Sequence, residues 1–280
     1  MDKLLIVDGM NLLFQMFYGM PSRIVNSRGK QVQGTVGFVG ALLKMLRLTG
    51  PTHAVVLFDG ETWNQRRELD PQYKANRPDY SLMEEDETPF SQLPDIYAAL
   101  DHLGICHAET ENCEADDWIA GYASGFSGLS EVVIASWDSD FFQLIDPWVC
   151  VFRYRGKAST LWTEETVLQR FGIRPGQYAD FKALVGDKAD NIPGARGVGV
   201  KTAAALLNRF GSLQGILDRA SEIERACIRR SVQENADALL RNLSLIRLNW
   251  TGDLPFSPED MLWVDKGLRS SEVLREIQLW

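Results

Sequence analysis

Three short apolar runs rich in β-branched residues each end in an aspartate, and this repeated pattern constrains the fold more than any other feature of the chain. Leu4-Leu5-Ile6-Val7 leads to Asp8, Ala54-Val55-Val56-Leu57-Phe58 leads to Asp59, and Val132-Val133-Ile134-Ala135-Ser136-Trp137 leads to Asp138. Continuous apolar runs of this length suit strands buried on both faces of a parallel sheet. Helical patterns lie between them. Gly37 to Leu48 stops near Gly50, just before Pro51, and Leu93 to Leu103 ends at Gly104. Alternating strands and helices imply an α/β fold, with a mostly parallel central sheet, flanking helices and right-handed crossovers. Ligands of such sheets bind beyond the carboxyl ends of the strands, so the three aspartates are expected to meet in one crevice. A single Asp after a strand is ordinary turn chemistry. Three of them, with further acids nearby, call for another cause.

From about Phe171 the pattern changes to helical periodicity, in Tyr178–Leu184, Lys201–Phe210, Leu213–Ala220 and Glu222–Arg241. A second, helical region is expected over 171–280, after a core over 1–170. The turn between its first helices is rich in Gly and Pro, from Asn191-Ile192-Pro193-Gly194 to Gly197-Val198-Gly199. Pro78–Pro89 reads as a mobile loop. Its acidic run Glu84-Glu85-Asp86-Glu87 is taken as a solvated stretch.

The strongest chemical signal is Glu114-Ala115-Asp116-Asp117. On a helix Glu114 and Asp117 share a face, and three carboxylates in one turn repel each other unless cations hold them. The helix dipole explains one or two acids at an N-terminus, and three poorly. Asp138-Ser139-Asp140 places two carboxylates at a strand end, and Asp187 and Asp190 lie three apart in Gly186-Asp187-Lys188-Ala189-Asp190-Asn191. Each alone is satisfied by a cap or an Asx turn. With Asp8 and Asp59 they make nine carboxylates in five short motifs. Hard oxygen donors, with no His or Cys set in ligand spacing, select Mg²⁺ or Mn²⁺ over Zn²⁺. Two such ions point to phosphoryl chemistry.

Basic residues gather elsewhere, in Arg66-Arg67, Tyr73-Lys74 and Arg77. On a helix Lys74 and Arg77 share a face suited to one phosphate, and Tyr73 is placed to stack on a base. Taken alone these five residues are an ordinary solvated face. Gly194, Gly197 and Gly199 allow close backbone approach, and the helix that starts near Lys201 and Thr202 offers free N–H groups to a phosphate.

The net charge of −9 argues against a nucleic-acid partner only on average, because the acids are concentrated where metal would neutralise them. No apolar run nears the ~20 residues of a membrane span, and the charged N-terminus is no signal peptide. The four cysteines are widely spaced, which fits reduced thiols and a cytoplasmic location.

In this order the motifs resemble the bacterial and phage 5′-nucleases, the family of the 5′-nuclease domain of DNA polymerase I and of the flap endonucleases. The match runs from Leu4 to the helix near Leu274. It includes Phe58-Asp59, Tyr73-Lys74-Ala75-Asn76-Arg77, Glu114-Ala115-Asp116-Asp117, Asp138-Ser139-Asp140, Gly186-Asp187 through Gly194, and Gly197 through Ala203. The resemblance implies a helical arch at about 66–92 and a helix-hairpin-helix element in the second region. By similarity Asp8, Asp59, Glu114, Asp116 and Asp117 serve one metal, and Asp138, Asp140, Asp187 and Asp190 a second. Tyr73, Lys74 and Arg77 engage the scissile phosphate, and Arg66 and Arg67 bind DNA. Gly194, Gly197, Gly199, Lys201 and Thr202 hold the duplex, with K⁺ at the hairpin turn. The implied substrates are DNA 5′ flaps, nicks and free 5′ ends. The implied organisation is a stand-alone monomer working beside a separate DNA polymerase. The stretch after Arg77 is longer and more acidic than the family pattern. The competing readings are a non-catalytic DNA-structure-binding protein on this fold and an unrelated acid-rich phosphatase.

Overall fold

The computed structural model of the chain describes residues 2–60 and 65–280. The core forms strand β1 (Lys3–Asp8), helices α1 (Gly9–Gly19) and α2 (Gln33–Thr49), strand β2 (His53–Phe58), and helices α3 (Gln65–Leu69) and α4 (Leu93–Leu103). It continues with β3 (Cys106–Glu109), α5 (Ala115–Phe126), β4 (Glu131–Ala135), β5 (Val149–Arg153), β6 (Thr160–Trp162) and α6 (Glu164–Phe171). The second region holds α7 (Tyr178–Val185), the small strands β7 (Gly186–Asp187) and β8 (Ile192–Pro193), α8 (Val200–Phe210), α9 (Leu213–Asp218), α10 (Ala226–Glu234), α11 (Ala236–Ile246) and α12 (Ser270–Glu276).

The six-stranded sheet has the order β3-β2-β1-β4-β5-β6, with only β6 antiparallel to its neighbour. Both faces are covered, which is why the strands read as unbroken apolar runs. Leu4, Ile6, Val55, Leu57, Val132 and Ile134 pack toward α5 and the second region. Leu5, Val7, Val56, Phe58 and Val133 pack toward α1, α2, α4 and α12. From β1 the sheet grows first through β2 and β3 and then, on the other side, through β4 and β5. The C-terminal end of β1 is therefore the switch point where ligands of open α/β sheets bind. Helices α2 and α4 stop where their glycines allow a left-handed residue, Gly50 (φ 58°) and Gly104 (φ 67°).

Several features differ from the sequence expectation. β4 ends at Ala135, so Ser136 and Trp137 already belong to the loop. The helix expected over Glu222–Arg241 breaks at Asn235 into α10 and α11, and α11 runs on to Ile246. The segment expected as a helical arch is, among the described residues, the five-residue α3, a series of turns over 70–77, and 3₁₀ turns at Tyr80–Leu82, Glu85–Glu87 and Pro89–Gln92. Pro71 and Pro78 interrupt any longer helix there. Glu84, Asp86 and Glu87 are exposed, and the side chain of Glu85 lies outside the described residues.

The chain after α11 returns to the core. The Ala54 N–H donates to Met261 O (2.9 Å) and the Trp263 N–H to Thr52 O (2.8 Å). Val273 and Leu274 of α12, with Leu279, fill the layer formed by α2 and α4. No helix among the described residues is long and apolar enough to cross a membrane.

Candidate metal centre and nucleic-acid interface

Asp8 closes β1 and caps α1. Its carboxylate accepts from the Asn11 N–H (3.0 Å) and the Ser136 hydroxyl (2.7 Å). Burial, together with the charges of Asp59 and Asp138, pushes its pKa up to about 7. Asp59 follows β2 and accepts from the Ala115 N–H at the start of α5 (2.8 Å); burial raises its pKa too. Glu114 is the N-cap of α5 and forms a capping box with Asp117. Asp116 sits between them on the first turn. Its carboxylate makes no hydrogen bond among the described residues, and burial plus the charges of Asp138 and Asp8 raise its pKa well above the carboxylate norm.

Asp138 accepts from the Asp140 N–H (2.8 Å), and Asp140 opens a 3₁₀ helix rather than extending the strand. Burial and Asp138 push Asp140 up to about 7 against the pull of Lys182. Asp187 and Asp190 come from the β7–β8 hairpin. Carboxylate oxygens of Asp140, Asp187 and Asp190 lie within 4.8 Å of one another. Lys182 of α7 inserts its ammonium between Asp140 and Asp187. Burial acts to raise Asp187, and Lys182 and two backbone donors outweigh it, so its pKa is lowered.

Protein cations therefore already engage much of the acidic set. Arg66 is buried, not on a DNA-facing surface. It holds Asp117 through both carboxylate oxygens (2.6 and 2.8 Å), reaches Glu114 (2.9 Å) and donates Nε–H to Leu245 O (2.9 Å). This corrects its expected role as a DNA contact, because a guanidinium buried against Asp117, Glu114 and the Leu245 carbonyl is not presented to a phosphate at the surface. Asp117, enclosed in the same pair, is spoken for as a counter-ion. Arg67, by contrast, is exposed.

Tyr73 is also buried, and its hydroxyl donates to Glu114 (3.1 Å), so its ring is not offered to a base. Lys74 and Arg77 do not share a helix face. Lys74 has a left-handed backbone (φ 56°) in a turn, and its ammonium meets Glu114 at 2.5 Å. Burial disfavours the Lys74 charge, but Glu114 and Asp116 outweigh it and raise its pKa. Arg77 reaches Asp190 at 2.8 Å and stays half exposed. The whole turn is stapled to the hairpin: the Lys74 N–H donates to Asp190 O (3.0 Å), Asn76 to Lys188 O (2.9 Å) and Asn191 to Gln72 O (2.8 Å).

The helix-hairpin-helix element is α7, β7–β8 and α8. Its glycines have different duties. A Cβ on Gly194 would lie 2.3 Å from the Val185 carbonyl group, so this glycine serves packing inside the hairpin. Gly197 needs its positive φ (81°). Gly199 caps α8 without strain and faces open space. Lys201 is exposed and Thr202 half-buried at the start of α8. We expect Gly194→Ala to cost several kcal/mol through backbone collision, whereas Gly199→Ala leaves the melting temperature unchanged and weakens duplex binding. Melting curves and fluorescence anisotropy check both; unchanged duplex affinity of the Gly199 variant would remove that glycine from the interface.

Sequence reasoning missed Lys182, Gln143 and Asn242. The signal for Lys182 and Asn242 was available: each is a polar residue on the apolar stripe of its helix, and both are buried.

The family model described as "5′-3′ exonuclease, N-terminal resolvase-like domain" matches residues 3–172, and "5′-3′ exonuclease, C-terminal SAM fold" matches residues 173–267. The thermostable DNA polymerase I of Thermus thermophilus is 35% identical over 257 residues, covering 90% of this chain and 29% of that protein, so the chain spans less than a third of that relative. A protein named 5′-3′ exonuclease from Aquifex aeolicus is 32% identical over 263 residues, covering 93% of this chain and 86% of the other. Among solved structures, bacteriophage T5 5′-exonuclease with bound zinc superposes with a TM-score of 0.74 at 25% identity, covering 88% and 89% of the two chains. With both family models matched over nearly its whole length, the chain belongs to the 5′-3′ exonuclease family.

Proposed function

We propose that the chain is a divalent-metal-dependent 5′-nuclease that hydrolyses phosphodiester bonds at free 5′ ends, nicks and 5′ flaps of DNA. The observation that carries this reading is the convergence of Asp140, Asp187 and Asp190 within 4.8 Å, opposite the strand-end acids Asp8 and Asp59. The donor set is all oxygen, which fits Mg²⁺ or Mn²⁺, and Asp116 offers an uncommitted carboxylate. Asp8, Asp59, Glu114 and Asp116 would hold one ion, and Asp138, Asp140, Asp187 and Asp190 the other; Asp117 supports the first set through Arg66. Bound ions supply water activation and neutralise charge on the attacking and leaving oxygens. The chain's own part is positioning. Lys74, Arg77 and Lys182 pair with Glu114, Asp190 and Asp140, and with the acids engaged by metal these donors would be available to the scissile phosphate.

Exposed Arg67, Gly197, Gly199, Lys201 and Thr202 form the duplex grip, with K⁺ at the hairpin turn. Contacts made through backbone N–H groups read phosphates and not bases, so binding is insensitive to sequence and sensitive to salt. The proposal extends to a division between core and duplex-binding region near residue 170, a monomeric, cytoplasmic protein, and a partner DNA polymerase. A 5′-labelled flap duplex incubated with and without Mg²⁺ tests the reading. Cleavage only with Mg²⁺ or Mn²⁺ is expected; tight binding without cleavage in either metal would establish a non-catalytic binder.

Metal binding carries a pH signature. Asp8 and Asp140, with pKa values pushed up to about 7, hold protons that an ion must displace. Mg²⁺ affinity therefore falls as pH drops below about 7 and levels off above about pH 8. Stability of the metal-free protein runs the other way. The folded state retains protons that the unfolded chain has lost, so stability declines as pH rises from about 4 to about 7. Calorimetric titration at pH 6.5 in two buffers of different ionisation enthalpy counts the protons released. Zero release would contradict the assignment of Asp8 and Asp140 as ligands.

A further inference from the structure

The last turn of α11 is fastened from two sides. A helix leaves its final carbonyls without intrahelical partners, and here side chains of the nuclease core take them. Arg66 Nε–H donates to Leu245 O (2.9 Å) and Gln143 Nε2–H to Ile246 O (3.0 Å). Both donors continue to the acids. Arg66 grips Glu114 and Asp117. Gln143, one turn after Asp140, also donates to Asp140 O (2.9 Å), and its Oε1 accepts from the Leu248 N–H (2.9 Å). One turn earlier on the same helix, Asn242 is fully buried and donates to Pro193 O of the hairpin (2.7 Å) and to Ala183 O of α7 (3.3 Å).

A continuous hydrogen-bonded path thus runs from the hairpin through Asn242, along one rigid turn of α11, to Gln143 and Asp140 and to Arg66, Glu114 and Asp117. We infer that α11 is the mechanical link through which a duplex seated on the hairpin sets the geometry of the acidic centre. Asn242, Gln143 and Arg66 are its positioning residues. The inference rests on the nuclease reading above. Its physical basis is a network of buried bonds that cannot lengthen independently: moving Pro193 by a fraction of an ångström displaces α11 and, with it, two carbonyls that anchor the acids. None of these side chains is offered to DNA: Asn242 and Arg66 are buried, and half-buried Gln143 spends its amide on Asp140 O, Ile246 O and the Leu248 N–H.

The test is a double-mutant cycle on a labelled 5′-flap duplex with Mg²⁺. Asn242→Leu and Gln143→Met are made singly and together, and single-turnover rates are read at saturating enzyme, with affinity for the same DNA measured in EDTA. Each single change is expected to lower the saturated rate about fivefold to tenfold, and the double no further than the worse single, because both cut one path. A Asn242→Leu variant that loses only affinity, or two losses that multiply, would overturn the link. The wild-type protein supplies a second measurement that no folding defect can blur. Hydrogen exchange of backbone amides in 114–118 and 140–144 should slow when a short duplex closed by a loop at each end, and so without a free 5′ end, is added, and no change in either segment would overturn the link. A wild type that cuts no DNA would instead sink the nuclease reading, while the exchange experiment still decides the link.

Discussion

Replacing Asp116 with Asn is expected to lower the rate of DNA cleavage by on the order of 10²–10³-fold, the size of effect seen when one charge-stabilising group leaves a preorganised site. The same change should raise the stability of the metal-free protein. The Asp116 carboxyl is held well above its ordinary pKa by burial and by the charges of Asp138 and Asp8, so its ionised form is unfavourable in the fold at neutral pH. A neutral amide of the same shape removes that cost. Each kcal/mol relieved should appear as a rise of roughly 2–4 °C in melting temperature. Among the described residues Asp116 accepts no hydrogen bond whose loss could offset the gain. Loss of cleavage together with a higher melting temperature in EDTA is the signature of a group kept for function at the expense of stability. A variant that keeps its full rate would take Asp116 out of the metal centre.

Arg66→Ala should do the opposite. It strands Glu114 and Asp117 as buried carboxylates without their guanidinium, and breaking a buried pair from one side costs about 3–5 kcal/mol. The Leu245 carbonyl also loses its donor. A fall of roughly 10 °C or more in melting temperature follows. Asp117→Ala should cost about as much, since it leaves the guanidinium short of its bidentate partner. Lys at position 66 cannot restore the fork. Thermal unfolding of the Arg66 and Asp117 variants beside Asp116→Asn separates the roles of adjacent acids in one motif. A melting temperature within a degree of wild type for Arg66→Ala would mean that the pair contributes little.

This division inside Glu114-Ala115-Asp116-Asp117 shows where reading the sequence stops. The strands, their terminal aspartates and the hairpin glycines are written in local patterns of a few residues, and so is the grouping of Asp140, Asp187 and Asp190 into acidic motifs that the fold brings together. The partner of each acid is not local. Arg66 and Asp117 are separated by 51 positions, and Asp140 and Lys182 by 42. Nothing in the run Arg66-Arg67 says which arginine turns inward. The buried face is set by α11, whose carbonyl at Leu245 lies 179 positions away. The turn over 70–77 was read as helix because its basic residues have helical spacing. The proline on either side and the docking of Gln72, Lys74 and Asn76 on the hairpin override that spacing. β3 escaped detection because Cys106-His107-Ala108-Glu109 is an edge strand with no β-branched residue.

The return of the C-terminal stretch to the core has a consequence for biogenesis. The layer between α2 and α4 is not filled until Val273, Leu274 and Leu279 have been made, although both helices are complete by Leu103. At a ribosomal rate of roughly 5–20 residues per second, that apolar layer waits on the order of ten seconds for its last side chains. During synthesis the first-made half of the protein therefore emerges with an open apolar seam, which Val273, Leu274 and Leu279 close once they are made.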